Sequence, residues 1–363
     1  MSTNYKKLGE IVELIDERNK SLESSEVLGI SIDKEFMPSV ANTIGTDLSN
    51  YKLLRMNTFA CNPMHVGRDE RLPVSLYKKD IPAIVSPAYF MFRVKDENKV
   101  MPDFLMLIFK RDDFDRNCWF RTDGSVRGGI TWNDICEIEF PVPDLKEQEK
   151  IVNTYNAITK RIQLKQKINE NLEKTAQTIY KKMFVEDADE KWENCKLGEI
   201  AELSAGGDKP VCFSITETEN CKIPIFSNGI ENYGLYGFTD KPKITKESVT
   251  VSARGTIGFP CLRLEPYFPI IRLVSVTPNE TYTDAVYLYY YLKNTNIVSS
   301  GTTQQQLTVP EFRETKIVVP SKEVINIFSK KVRKMFLIQK FNEKEIAKLQ
   351  SLKQLVISRI SGM

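Results

Sequence analysis

The chain of 363 residues contains only one histidine, His65. Serine and cysteine nucleophiles and most zinc centres need one or more imidazole groups, so these chemistries are poorly supplied here. Its seven cysteines lack the paired spacing of zinc ribbons and redox motifs, and we interpret them as reduced structural thiols. The sequence also lacks a run of about eighteen apolar residues and a signal-peptide-like N-terminus. We therefore expect a soluble, cytoplasmic protein.

Motifs for bound cofactors are incomplete. Residues 62–65, NPMH, lack the second proline and the stacking aromatic of the Asn-Pro-Pro-Tyr motif of amino-methyltransferases. Residues 206–209, GGDK, lack the spacing of a phosphate-binding loop, and the two glycines within residues 253–258 are explained by an ordinary β-turn. We predict no catalytic residue, no metal site and no cofactor in this chain.

Charge is distributed unevenly around a net value of +3. Residues 1–145 carry a net charge of −4 and residues 192–320 carry −2, whereas residues 146–191 carry +2 and residues 321–363 carry +7. A protein that binds DNA mainly by counterion release needs a clear basic excess. The globular parts are therefore expected to contact DNA through local patches, with partner subunits supplying much of the affinity. The basic last segment could face phosphates or acidic partners, or could be a solvated charged surface.

An internal repeat organises the chain. The sequence KLGEIVEL at residues 7–14 recurs as KLGEIAEL at residues 196–203, an offset of 189. A second block at residues 130–143 recurs at residues 307–320 with an offset of 177, so the second copy is about a dozen residues shorter. A duplicated unit predicts a pseudo-twofold molecule, which suits a target that is itself twofold, such as duplex DNA.

Each copy ends in a long, charged, glycine-free stretch that predicts a helix, at residues 144–184 and 321–360. Apolar residues follow each other at spacings of three and four, which is typical of a coiled-coil seam. The predicted seams contain Ile151, Tyr155, Ile158, Ile162, Leu172, Ala176, Ile179 and Met183, and Phe328, Val332, Met335, Ile338, Asn342, Leu349, Leu352 and Val356. We expect the two helices to pair antiparallel as a spacer of about 55–60 Å. The alternative is that each packs only on its own domain, and Asn342 either fixes the register or lies at an edge.

The globular parts combine β-branched and aromatic strands with short helices, so we predict an α+β fold. Predicted strands are residues 83–85, 89–94, 249–252 and 270–276, and predicted short helices are residues 103–110 and 284–293. The predicted domains are residues 1–143 and 186–320, with spacer helices at 144–185 and 321–363.

Polar residues in the connecting loops are candidates for DNA contact. Arginine suits guanine, glutamine suits adenine, and lysine mostly contacts phosphate. The candidates are Arg68, Arg121, Ser125 and Arg127 in the first copy, and Ser227, Asn228, Lys241, Lys243, Arg254, Thr256, Thr303, Gln304 and Gln305 in the second. The alternative for each of them, and the commoner one for a single polar loop residue, is a solvated surface residue. Residues 127–129, RGG, align with residues 304–306, QQQ, as expected if equivalent loops read different sequences.

The whole arrangement resembles the specificity subunit of type I restriction-modification systems. The resemblance rests on the paired KLGEI openings, on residues 299–307 (SSGTTQQQL), on residues 140–151 leading into a long helix, and on residues 248–258. It covers essentially the full chain. One departure is that the second proline motif, VPSKE at residues 319–323, lacks the Glu-Gln pair of the first.

This resemblance implies two target recognition domains, each binding one half of a split site in double-stranded DNA, and two antiparallel helical regions that fix the gap. It also implies that the helices dock two modification (methyltransferase) subunits, which methylate adenine with S-adenosylmethionine. Restriction (motor-nuclease) subunits, which use ATP and magnesium, complete the endonuclease. We therefore predict a non-catalytic recognition subunit. The rival hypotheses are a stand-alone methyltransferase with degenerate motifs and a non-DNA coiled-coil scaffold.

Overall fold

The computed structural model describes residues 5–40, 45–64, 66–122, 128–295, 297 and 306–361. Their packing forms two compact units: unit 1 joins Met1–Lys165 to Lys344–Met363, and unit 2 is Gln166–Glu343. Each unit thus contains a globular part of the chain together with a segment of each long helix. The domain boundaries predicted along the sequence stay predictions.

Unit 1 contains two four-stranded sheets. Its strands are β1 (Tyr5–Lys7), β2 (Val12–Ile15), β3 (Val27–Ile30), β4 (Phe36–Pro38), β5 (Lys52–Leu54), β6 (Phe59–Cys61), β7 (Val74–Leu76), β8 (Ala83–Val85), β9 (Phe90–Val94) and β10 (Glu139–Pro141). Its short helices are α1 (Leu8–Ile11), α2 (Val66–Asp69), α3 (Pro102–Phe109), α4 (Asp112–Phe120) and α5 (Trp132–Cys136), with a 3₁₀ turn at Leu48–Asn50. The sheet orders are β2-β9-β6-β7 and β4-β3-β8-β5.

After β10 the chain forms the long helix α6 (Leu145–Lys181), which ends in a π-helical turn at Lys182–Glu186. Unit 2 then contains β11 (Glu193–Lys196), α7 (Leu197–Ile200), β12 (Ala201–Ala205), β13 (Ile223–Phe226), β14 (Leu235–Thr239), β15 (Ser248–Val251), β16 (Pro260–Arg263), β17 (Phe268–Pro269), β18 (Val274–Pro278), α8 (Ala285–Asn294), α9 (Val309–Arg313) and β19 (Lys316–Val319). The chain closes with α10 (Lys322–Ser361). The sheet orders of unit 2 are β12-β18-β15-β16 and β14-β13-β17.

The repeat is visible in strand pairing. The main sheet of each unit is antiparallel with the same order, because β2, β9, β6 and β7 correspond to β12, β18, β15 and β16. In the second sheet, the parallel pair of β3 and β8 corresponds to the parallel pair of β13 and β17. These matches confirm the predicted α+β class and the internal duplication.

The KLGE motif closes each unit. Its lysine ends a strand that pairs with the last strand of the same unit, β1 with β10 and β11 with β19. The following leucine, Leu8 or Leu197, is fully buried in the core. A Cβ added to Gly9 would lie 3.0 Å from Cys136 Cβ, and one added to Gly198 would lie 3.0 Å from Arg313 Cβ. The motif is therefore structural, with a small residue where two short helices touch.

Two segments account for the dozen residues missing from the second copy. The connection from β6 to β7 has 12 residues (62–73), and the connection from β15 to β16 has 8 (252–259). Between α3 and α5 there are 22 residues (110–131), and between α8 and α9 there are 14 (295–308). The longer connection of unit 1 contains α4, which the sequence analysis did not predict.

The strand predicted at residues 270–276 is wrong in its first half. Residues Ile270–Leu273 form a turn, in which the Leu273 amide donates to the Ile270 carbonyl at 3.0 Å. Ile271 and Arg272 adopt positive φ angles of 52° and 59°, so β18 begins only at Val274. The β-branched composition of the segment resembled that of a strand although its backbone turns.

The two long helices run antiparallel within each unit. In unit 1, Glu345 pairs with Arg161 and, at 2.8 Å, with Lys165. In unit 2, the Asn342 side chain donates to Asn169 Oδ1 at 2.8 Å. Asn342 is buried, which agrees with a register-fixing position and not with an edge position.

The helices also pack on the domains, so pairing and domain packing occur together. Ile357 and Ile360 enter the core of unit 1, and Phe328 and Val332 enter the core of unit 2. Two predicted seam residues are wrong: Ile338 is 48% exposed and Leu352 is 49% exposed. The remaining predicted seam residues are buried or half-buried. Among the described helices, none has a stretch apolar and long enough to span a membrane.

Candidate nucleic-acid interface

In both units, the loop after the third strand of the main sheet meets the segment that precedes the last short helix. In unit 2 the Leu307 amide donates to the Ala253 carbonyl at 3.0 Å, and in unit 1 the Ile130 amide donates to the Pro63 carbonyl at 3.1 Å. We call the region around this contact the loop face. In unit 2 it comprises residues 206–209, 227–234, 252–259, 270–273 and 306–307, and in unit 1 residues 62–64, 66–73, 86–89 and 128–130.

The loop face of unit 2 brings together Arg254 and Gln306, which are distant in the sequence. Arg254 is exposed after β15, and its Nη2 donates to Gln306 Oε1 at 3.1 Å. Thr256 is exposed in the same loop, where Gly255 and Gly258 have positive φ angles of 69° and 84°. The predicted candidates Arg254 and Thr256 are therefore brought together with the end of the glutamine run.

Asn228 ties this loop to a neighbouring turn. Its Oδ1 accepts from the Ala253 amide at 2.8 Å, and its Nδ2 donates to the Ile271 carbonyl at 2.7 Å. The Ser227 amide donates to the Gly234 carbonyl at 2.8 Å, and a Cβ at Gly234 would overlap the Ser227 carbonyl oxygen. The side chain of Asn228 thus has backbone partners on both sides of its amide group, and Ser227 lies in the same tightly closed loop.

A buried arginine supports this loop from the sheet side. Arg263 donates from Nη2 to the Tyr233 carbonyl at 2.6 Å and from Nε to Thr250 Oγ1 at 2.9 Å. Its guanidinium carbon lies 3.5 Å from the centre of the Phe226 ring. Burial lowers the pKa of Arg263. Burial also raises the pKa of Tyr233 to about 12, so its hydroxyl stays protonated and donates to Glu343 at 3.2 Å.

The predicted lysines lie at the edge of this region. Lys241 and Lys243 are both exposed in the connection before β15. The Lys243 amide donates to the Tyr267 carbonyl at 3.0 Å, and a Cβ added to Gly207 would lie 3.7 Å from Lys243 Nζ. Gly207 in turn accepts the Ile271 amide at 2.9 Å. Lys243 is therefore beside the 270–273 turn.

Arg272 is a candidate that sequence reasoning missed. It is exposed at the tip of the 270–273 turn, next to the carbonyl that Asn228 holds. The segment had been predicted as a strand, so its arginine was not considered a loop residue. The Gly206-Gly207 pair, which lets another backbone approach closely, was the available signal for a turn at this place.

The described candidates of unit 1 are more dispersed. Arg68 in α2 forms a two-pronged ion pair with Asp69, at 2.6 and 3.0 Å, which raises the pKa of the guanidinium. Arg121 is exposed directly after α4, beside Trp119 and Phe120, which are 44% and 87% exposed. The candidates Ser125, Arg127, Thr303, Gln304 and Gln305, and the single histidine His65, lie outside the described residues.

Nothing in the described ranges resembles a metal centre, since no three His, Cys, Asp or Glu side chains cluster there. Cys212 and Cys221 are free thiols whose sulfurs lie 3.1 Å apart. Burial raises the pKa of Cys61 to about 12, which disfavours its reactive thiolate form. Arg254 and Thr256 are exposed on the loop face, and their side chains are of the hydrogen-bonding kinds that contact base edges and phosphates.

This chain is similar to known proteins of one family. Residues 3–174 and 189–351 both match the family model described as the type I restriction modification DNA specificity domain. A putative type I specificity subunit of Mycoplasma pneumoniae is 38% identical over 127 residues, which cover 35% of this chain and 38% of that protein. The chain therefore aligns with well under two thirds of that relative. The HindI specificity subunit of Haemophilus influenzae is 22% identical over 77% of this chain and 81% of its own length.

The fold has solved relatives. The crystal structure of a type I restriction-modification S subunit from M. genitalium superposes with a TM-score of 0.65 at 16% identity, covering 99% of this chain and 96% of that one. At that identity the match shows the fold alone. Because the family model matches both copies of the repeat and most of the sequence, the chain belongs to the family of type I restriction-modification DNA specificity proteins.

Proposed function

We propose that each unit reads one half of a bipartite site in double-stranded DNA through its loop face. The observation that carries this proposal is that both units have the same backbone contact between their loops, while the side chains beside this contact differ. Within each unit the same backbone hydrogen bond joins two loops, from the Leu307 amide to the Ala253 carbonyl in unit 2 and from the Ile130 amide to the Pro63 carbonyl in unit 1. Around it, unit 2 presents Arg254 and Gln306, where unit 1 has Met64 and Gly129. Equivalent loops with different donors and acceptors are what two different half-sites require.

In this proposal the long helices set the gap between the half-sites and dock two modification subunits, and restriction subunits complete the complex. Both long helices carry exposed apolar side chains, which mark protein interaction surfaces when they cluster. They are Leu145, Leu164, Ile168, Ile327, Leu337, Ile338, Phe341, Leu352 and Leu355. S-adenosylmethionine, ATP and magnesium belong to the partner subunits, and the complex acts on DNA in the cytoplasm.

Sequencing of methylated adenines in the host, with and without this gene, tests the proposal. Deletion should remove one bipartite motif, and the gene returned on a plasmid should restore it. The Arg254→Ala, Gln306→Ala double variant should alter only one half of the motif and leave the gap unchanged. Lys222→Ala is the matched control, because Lys222 is an exposed cation of unit 2 outside the loop face.

The rival functions predict other outcomes. A motif that survives deletion of the gene would overturn sequence recognition and favour a scaffold role. Tight binding of radiolabelled S-adenosylmethionine to the full chain without partners would favour a stand-alone methyltransferase. A change in both halves of the motif from the Arg254, Gln306 variant would contradict the assignment of one half-site to each unit.

A further inference from the structure

The 270–273 turn of unit 2 has a strained backbone. Ile271 and Arg272 are consecutive non-glycine residues with φ angles of 52° and 59°. A β-branched residue such as isoleucine is a genuine outlier in this left-handed region. Such strain persists only where the surroundings impose it, and it concentrates at functional sites.

The backbone amides of all four turn residues donate hydrogen bonds that hold this conformation. The Ile271 amide donates to the Gly207 carbonyl at 2.9 Å, and the Arg272 amide donates to the Gly206 carbonyl at 3.0 Å. The Ile270 amide donates to Phe226 at 2.9 Å, and the Leu273 amide closes the turn onto Ile270. Gly206 is needed for this approach, because a Cβ there would lie 2.8 Å from the backbone of Ile270.

Asn228 adds the only side-chain hydrogen bond to the carbonyls of this turn in the described residues, from Nδ2 to the Ile271 carbonyl at 2.7 Å. Its other amide atom holds the Ala253 amide, next to Arg254. One side chain therefore fixes the backbone beside two exposed arginines. Because both ends of the Asn228 amide are bonded, its own contribution is positional.

The equivalent turn of unit 1 has neither the positive φ angles nor an arginine at its tip. It is closed in the same way, by the Tyr89 amide donating to the Ser86 carbonyl at 3.1 Å, also directly before the second strand of the main sheet order. Pro87 and Ala88 occupy its tip, where unit 2 has Ile271 and Arg272. No positive φ occurs there. Unit 2 thus maintains a strained turn that carries a cation, at a place where an unstrained turn closes the same connection.

We propose that Arg272 is a further DNA-contacting residue of unit 2, and that Asn228 is the residue that positions it together with Arg254. This inference rests on the proposed function. The planar guanidinium on a rigid turn offers paired donors either to a guanine edge or to a phosphate. Among the described residues, no carboxylate forms an ion pair with Arg272, so its donors face solvent in the free protein.

Two glycine substitutions distinguish the loss of the Arg272 guanidinium from the relief of backbone strain in the turn. Arg272→Gly removes the guanidinium and suits the positive φ, so the protein should fold at least as well as the wild type. Ile271→Gly is the matched control, because it relieves the same kind of strain one residue earlier and retains the arginine. In host cells with their own modification subunits, Arg272→Gly should lower methylation of the motif roughly ten-fold or more, whereas Ile271→Gly should change it by less than about two-fold.

The form of the loss identifies the atoms that are contacted. A methylated motif that becomes relaxed at one base pair indicates contact with a guanine edge. An equal loss of methylation at all sites, together with a weaker salt dependence of DNA binding by the purified complex, indicates contact with a phosphate. Both results support the proposal. Equal methylation by the two glycine variants overturns it.

The positioning role of Asn228 needs a double-mutant comparison. Asn228→Ala should reduce methylation strongly when Arg272 is present and much less in the Arg272→Gly background, because the group being positioned is then already absent. A fully multiplicative loss would show that Asn228 acts only on the fold. If deletion of the gene leaves every motif intact, the proposed function itself fails. If deletion removes the motif but the glycine variants behave alike, only this inference fails.

Discussion

Units 1 and 2 bury different side chains at the first turn of their long helices. In unit 1, Gln148 is fully buried, its Oε1 accepts from the Met101 amide at 2.9 Å, and its Nε2 donates to the Lys99 and Pro143 carbonyls at 2.9 and 2.8 Å. In unit 2, the residue 177 positions later is Ile325, also fully buried. The absence of a Glu-Gln pair from the second proline motif is therefore a change from a polar anchor to an apolar one.

Buried cations show the same divergence. In unit 1, Lys34 donates to Asp115 at 2.6 Å and to the Phe109 carbonyl, and burial lowers the pKa of Lys34 and raises that of Asp115. In unit 2, the buried Arg263 lies over the Phe226 ring and bonds to a carbonyl and a hydroxyl. The two units share their backbone topology, while the polar links that stabilise it differ.

The largest expected effect comes from breaking the ion pair of unit 1. Lys34→Met leaves the Asp115 carboxylate buried without its cation, although the Leu72 amide still donates to it at 3.1 Å. We expect the free energy of unfolding of unit 1 to fall by about 3–5 kcal/mol, while unit 2 is unchanged. The urea dependence of hydrogen exchange, followed on peptides of each unit, measures both values in the full chain.

The control for this variant is Lys99→Met, which removes an exposed lysine paired with Asp96 on the surface of the same unit. Exposed ion pairs contribute little, so hydrogen exchange in unit 1 should stay as in the wild type. If hydrogen exchange in unit 1 is the same for Lys34→Met as for Lys99→Met, the buried ion pair does not stabilise unit 1. The difference between Lys34 and Arg263 then has no consequence for stability.

Exchanging the helix anchors gives the next largest effect. Gln148→Leu keeps the size of the side chain but leaves the Met101 amide and the Lys99 and Pro143 carbonyls without this partner. The expected cost is about 1–3 kcal/mol for each buried group left unsatisfied. Ile325→Gln places an amide in the apolar core of unit 2 and should destabilise that unit by a similar amount. Each loss should appear in its own unit by hydrogen exchange. A neutral Ile325→Gln would mean that unit 2 can accommodate the polar anchor.

Features that depend on local pattern could be predicted from the sequence. The long helices follow from their apolar spacing, and the repeat follows from KLGE, whose glycine is required by contact with Cys136 or Arg313. Helix α4 was missed although three aspartates occupy its first turn, because only Phe114, Asp115 and Cys118 of its nine residues are buried. A helix with so small a buried face has a weak apolar period.

The candidate interface was less predictable because it depends on contacts between distant segments. The DNA contact predicted for Asn228 stays a prediction, and nothing in the sequence indicates that its amide bonds to backbone groups 25 and 43 residues away. Arg272 was overlooked because β-branched residues predict a strand wherever the backbone is not known to turn. Arg254 was a candidate from its loop position and Gln306 ends the aligned QQQ run, but their contact across 52 residues could not be inferred from either segment alone.

The smallest expected effect tests how the helix pair is held in each unit. In unit 1 the contact is ionic, and the hydrogen bond from Lys165 lowers the pKa of Glu345. A carboxylate with a lowered pKa contributes stability above the pKa of its unfolded state, and this contribution is lost as pH falls through the folded value. The amide pair of Asn169 and Asn342 in unit 2 does not titrate. Lowering the pH below about 4, or raising salt from about 0.05 to 0.5 M, should therefore speed hydrogen exchange in residues 344–356 more than in residues 335–343, after correction for intrinsic rates. Glu345→Gln should abolish this difference, and a difference that persists in the variant would show that Glu345 does not hold the helices of unit 1 together.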